Sequence, residues 1–96
     1  MAVVVTVEFE TEAQRRFFNH QGTPVPLVAG KGRFTVEENE YGLVLFGIEG
    51  TPGTEAKITL SVPASASLEI KGHPIEGRIA ATRTVWGDNR FFRVKV

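Results

Sequence analysis

The amino-acid sequence predicts an all-β fold, an antiparallel β-sandwich of about seven strands forming one domain over residues 1–96. Three observations lead there. Nearly every segment alternates apolar and polar positions with period two, the pattern of a strand buried on one side. Ten glycines and five prolines cut the chain into pieces too short for long helices. A length of 96 residues leaves room for one hydrophobic core.

The elements follow in order. From Met1 to Glu10 the chain sets Val3, Val5, Val7 and Phe9 on one face. It lacks a basic start and a long apolar run, so it reads as a strand and not as a signal peptide. Thr11-Glu12-Ala13-Gln14 has the form of a capping box and predicts one short helix after the first strand. Glu12 falls in its first turn, Arg15 and Arg16 in its last, and Ala13 and Phe17 lie four apart on one side. Gly22 to Gly32, with Pro24 and Pro26, reads as an extended connection or edge strand. Arg33 to Glu37 is a one-sided strand with Phe34 and Val36 inward. Leu43 to Ile48 is apolar on both faces, which predicts a central strand covered on each side. Glu55 to Val62 alternates again, and Leu68 with Ile70, Arg78 to Trp86 and Arg90 to Val96 complete the set. The last two are expected to form a hairpin about Gly87-Asp88-Asn89. The expected core holds Val5, Val7, Phe34, Val36, Leu45, Phe46, Ile58, Leu60, Val94 and Val96.

The number and spacing of these strands resemble an immunoglobulin-like or fibronectin-like sandwich at fold level, without the Cys, Trp, Cys spacing of true immunoglobulin domains. Such a resemblance implies no activity. An oligonucleotide-binding barrel ranks second, because its helix lies between the third and fourth strands whereas the helix expected here follows the first.

The catalytic inventory is thin: no Cys, two His, one Asp and three Ser. None of Ser61, Ser65 and Ser67 stands in a Gly-x-Ser-x-Gly elbow. His20 and His73, without thiolates, fall short of a zinc ligand set, and the single Asp88 does not make a calcium loop. Gly30-Lys31-Gly32 lacks the flanking residues of either phosphate-binding fingerprint. No enzyme activity, cofactor or metal is therefore expected. Eleven Lys and Arg balance eleven Asp and Glu, which argues against nucleic acid and anionic membrane surfaces as partners. No stretch is long and apolar enough to be read as a membrane-spanning helix. The absence of cysteine suits a reducing, cytoplasmic setting.

One region concentrates charge and aromatic surface: Arg78, Arg83, Trp86, Arg90, Phe91, Phe92, Arg93 and Lys95. With a two-residue turn at Asp88-Asn89, Val85, Phe92, Val94 and Val96 share an apolar face and Arg83 stands alone among them. Arg83 must then pair with a carboxylate such as Glu8, Glu10 or Glu69, or meet a partner. Trp86, Phe91 and Arg93 fall on the opposite face, where aromatics beside arginines make up the centres of protein interfaces. Arg15-Arg16-Phe17-Phe18 is a similar cluster. The binding residues expected are Arg83, Trp86, Phe91 and Arg93, in a non-catalytic protein-binding or self-assembly module that uses strand edges and the C-terminal hairpin. Its partner is a copy of itself or another protein. The alternative is a small β domain that binds carbohydrate or single-stranded nucleic acid.

Overall fold

A computed structural model describes all of residues 1–96. It is all-β, with two antiparallel sheets packed face to face. The strands are β1 (Ala2–Thr11), β2 (Arg15–His20), β3 (Thr23–Pro24), β4 (Lys31–Glu37), β5 (Tyr41–Glu49), β6 (Glu55–Ser61), β7 (Ser67–Ile70), β8 (Ile75–Arg78) and β9 (Val85–Lys95). One sheet has the order β4-β1-β6-β8 and the other β3-β2-β5-β9-β7. Of the nine strands, β1, β4, β5, β6 and β7 match expected ones, β3 lies in the stretch read as an extended connection or edge strand, β2 and β8 are additions, and β9 alone replaces the expected pair Arg78 to Trp86 and Arg90 to Val96.

Period two explains the core. The odd residues Val3 to Phe9 of β1 and the even residues Ala56 to Leu60 of β6 are buried, and the register sets Val7 against Leu60 and Phe9 against Ile58 on one inner face. From the other sheet come Phe18, Val44, Phe46, Ile48, Phe92 and Val94. Seventeen buried side chains form one cluster with no buried polar or charged residue among them. Aromatic rings tie the layers together at one end. The Phe34 ring of β4 lies 5.9 Å from Phe18 and 6.0 Å from Phe92, edge-on to the latter. At the other end Arg16 Nη1 donates to the carbonyl oxygen of Phe9 at 2.7 Å, joining β2 to β1 across the gap.

The helix expected after the first strand is absent. Thr11 Oγ1 accepts from the backbone N–H of Ala13 at 3.1 Å, which makes a tight turn where a capping box was expected. The chain then enters β2 directly. A two-turn helix is marginal on its own, while the strand conformation buries Phe18 almost completely beside Phe46 and pairs six residues with β5. Tertiary pairing therefore outweighs the local capping signal.

The C-terminal hairpin is also absent. Gly87, Asp88 and Asn89 lie inside one continuous strand, paired with Gly47, Phe46 and Leu45 of β5. The turn instead spans Ala80 to Thr84, where the N–H of Arg83 donates to Ala80 O at 3.0 Å. Turn-forming residue types at 87–89 give way to nine consecutive pairings with a strong central strand. Three expected core residues move outward for related reasons. Leu45 lies on the outer face of β5, Val96 is exposed beyond the end of β9, and Phe34 is only half-buried at the rim.

Candidate functional site

The two sheets bury similar inner faces and present very different outer ones. On the β4-β1-β6-β8 sheet the outward residues are polar. The register places Glu8 beside Lys31 and Thr59, and Lys57 between Glu10 and Glu76. Glu55 and Arg78 form a salt bridge across β6 and β8. Such alternating opposite charges stabilise a solvated face. Val4 is the one large apolar side chain exposed on it.

The outer face of the other sheet carries five large exposed apolar side chains: Tyr41 at 67%, Phe91 at 66%, Val85 at 51%, Phe17 at 49% and Leu45 at 37%. They stand on three adjacent strands. Even residues of β5 point into the core, so Tyr41, Leu43 and Leu45 point out, and pairing sets Leu43 beside Phe91. Phe17 of β2 lies over Gly47, where a Cβ would stand 2.5 Å from its ring. Gly87 sits opposite Gly47, so no side chain of β9 rises between the Phe17 ring and Val85. A hollow of about 470 Å³ opens there, with Arg15 and Glu49 at its rim.

Charge frames the apolar strip at both ends. At one end the Arg93 guanidinium donates twice to Glu69 Oε2, at 2.9 and 3.0 Å, and lies 4.8 Å over the ring of Tyr41. Lys95 Nζ reaches the other oxygen of Glu69 at 3.0 Å. Hydrogen bonds from Lys95 and Arg93 hold the Glu69 carboxyl below its usual pKa, and Glu69 in turn raises that of Arg93. At the opposite end Arg15 and Glu49 meet at 3.5 Å, both well exposed.

The four residues singled out from the sequence are thus dispersed. Phe91 and Arg93 stand together on the outer face. Trp86, an even residue of β9, points inward: its ring is half-buried, 5.8 Å from that of Phe46, and covers Gly77 so closely that a Cβ there would overlap the indole. Arg83 is exposed in the turn before β9 and forms no ion pair, so the glutamate partner expected of it goes instead to Arg93. Sequence reasoning missed Tyr41, Leu45, Phe17 and Val85 as members of this face. The available signal was the two-sided apolarity of Leu43 to Ile48, which foretold a cover on each side. The chain supplies only one.

The exposed edge of β9 is closed by its own side chains. β7 pairs only with Phe92 to Lys95, and in the stretch before it Asn89 N–H donates to Asp88 Oδ1 at 2.8 Å while Asn89 O accepts from Arg90 Nη1 at 2.7 Å. Arg90 also binds Asp88 Oδ2 at 2.7 Å and Lys71 O at 3.2 Å. The hydrogen bond from Arg90, with that from Asn89 N–H, lowers the pKa of Asp88. An edge amide and carbonyl so occupied are poor templates for an added strand.

The histidines have structural surroundings. His20 stacks on Phe34 at 4.5 Å, and burial lowers its pKa. His73 Nε2 accepts from the N–H of Leu60 at 2.9 Å. No three His, Cys, Asp or Glu side chains gather closely enough to hold a metal ion. In comparisons with models of protein families, with curated proteins and with solved structures, the chain matches none.

Proposed function

We propose that this domain is a non-catalytic protein-binding or assembly module whose contact surface is the outer face of the five-stranded sheet, centred on Leu43, Leu45 and Phe91. One observation carries the reading: five large apolar side chains are exposed on that face and one on the opposite face of the same sandwich. Isolated exposed apolar residues are ordinary, whereas a contiguous patch rimmed by charge marks an interaction site. The surface so assigned differs from the strand edges and hairpin expected from the sequence. The edge of β9 is plugged by Asp88 and Arg90, and β3 is two residues long and ends in Pro24. A small ligand is less well served, because Tyr41, Leu45 and Phe91 lie on the open sheet face, outside the hollow beside Phe17 and Val85, and ligand sites are concave. Likeness to immunoglobulin-like domains stops at two packed antiparallel sheets. β1 and β2 lie in different sheets, unlike the first two strands of that fold, so the resemblance has no part in the reading.

The test is site-specific photocrosslinking. A benzophenone side chain replaces Phe91 on the proposed contact face or Thr6, exposed on the outer face of the other sheet. Discrete protein adducts from position 91 and none from position 6 are expected. Equal labelling from both positions, or none from position 91, refutes the assignment.

A further inference from the structure

We propose that the occupant of this face is a second copy of the chain, packed sheet on sheet about a two-fold axis that lies between the faces and runs across the strands. The inference rests on the contact-face reading and adds the partner and its orientation.

Area is the first argument. The chain exposes 5931 Å², against about 5,400 Å² for a folded monomer of its mass. The exposed parts of Tyr41, Phe91, Phe17, Val85 and Leu45 sum to about 500 Å² from the usual sizes of such side chains, of the same order as that excess. Two copies would bury about 1,000 Å² of apolar surface before the rim is counted, enough for a reversible dimer at the small end of specific interfaces. The strip follows β5 from Tyr41 to Glu49, so two such strips can lie nearly aligned, as packed sheets do.

Charge selects the axis. Arg93 and Lys95 share the single carboxylate of Glu69 at one end, while Glu49 is held loosely by Arg15 at the other. A two-fold axis along the strands would lay each Arg93-Lys95 end on its own copy, with like charges opposed. An axis across the strands turns the second copy end for end and sets Lys95 opposite Glu49 of its mate, twice by symmetry. Strand addition through the free stretch of β9 is disfavoured by the Asp88 and Arg90 plug.

Sedimentation velocity on the full chain, from about 5 to about 500 μM, tests this in the range expected of a small interface. The wild type should pass from monomer to dimer within that range. Phe91→Asp and Tyr41→Asp should each weaken association about 30-fold or more with unchanged circular dichroism and thermal unfolding. Thr6→Asp should leave it intact. Glu49→Lys and Lys95→Glu should each weaken the dimer, and the double variant should recover most of the loss. A wild type that stays monomeric at the highest concentration overturns the second-copy inference, and the crosslinking experiment then judges the face by itself. A dimer indifferent to Phe91→Asp and Tyr41→Asp overturns the face reading as well. A dimer lost in those variants but not recovered by the double charge exchange overturns the proposed axis.

Discussion

Trp86 and Phe91 are aromatic residues five positions apart on β9, and truncating each to Ala should have opposite consequences. The Trp86 indole is half-buried between Phe46 and Gly77 and joins β9 to β8 of the opposite sheet. A tryptophan buries roughly 150 to 250 Å² when fully enclosed. With about half to two-thirds of that removed from water, at about 25 cal/mol per Å², Trp86→Ala loses about 2 to 4 kcal/mol. The void opens to solvent and next to a glycine without a side chain to fill it, so repacking recovers little of the loss. Phe91 is 66% exposed and its replacement by Ala should stay within about 0.5 kcal/mol. Urea unfolding followed by far-ultraviolet circular dichroism measures both, without relying on the lost tryptophan signal. A Trp86→Ala protein as stable as the parent would show that the indole does not tie the sheets together. A Phe91→Ala protein that unfolds would show that this ring belongs to the core.

Further outcomes are expected. Gly77→Ala should destabilise by about 1 to 3 kcal/mol because its methyl overlaps the indole, and most of that cost should vanish in a Trp86→Ala background, as a double-mutant cycle would show. Phe18→Ala, which empties a site 1% exposed between Phe34 and Phe46, should cost about 3 to 5 kcal/mol by urea unfolding. Burial holds the folded pKa of His20 below the ordinary histidine value of 6.5, so the unfolded chain binds more protons in the interval between the two. Stability should therefore decline as pH falls from about 6.5 to the folded pKa and be indifferent to this group above that interval. His20→Phe should flatten that slope in unfolding measured between pH 7 and 5, and an unchanged slope would assign it elsewhere. Glu69 and Asp88, whose pKa values are lowered by Lys95 and Arg90, act in a separate, acidic window: their contribution is present above the ordinary carboxylate range and is lost as pH falls through their folded values.

The candidate face was partly legible before the fold was known. Phe91 and Arg93 were singled out because aromatic and guanidinium groups alternate near the C terminus, and both stand on the face. Trp86 entered the same set through an assumed hairpin. Without that turn β9 runs straight, and the parity of residue 86, shared with Phe92 and Val94, turns the indole inward. Arg83 entered as a strand residue and lies in a turn, where a charge has no burial to offset. Tyr41, Leu45 and Phe17 could not be grouped, since β2, β5 and β9 are neighbours only through pairings that span more than twenty residues.

By itself the sequence determined the class and the inner faces: alternation in β1, β4 and β6 dictates which side chains turn inward, because successive residues of any strand point to opposite sides. It also showed that Leu43 to Ile48 is apolar on both faces. Only the tertiary structure decided that Arg15–His20 is a strand, that residues 87–89 are not a turn, and that the outer side of β5 is left without a cover. Each of these turns on long-range pairing with β5, whose nine residues engage β2 and β9 at once and outweigh what capping and turn residues favour locally.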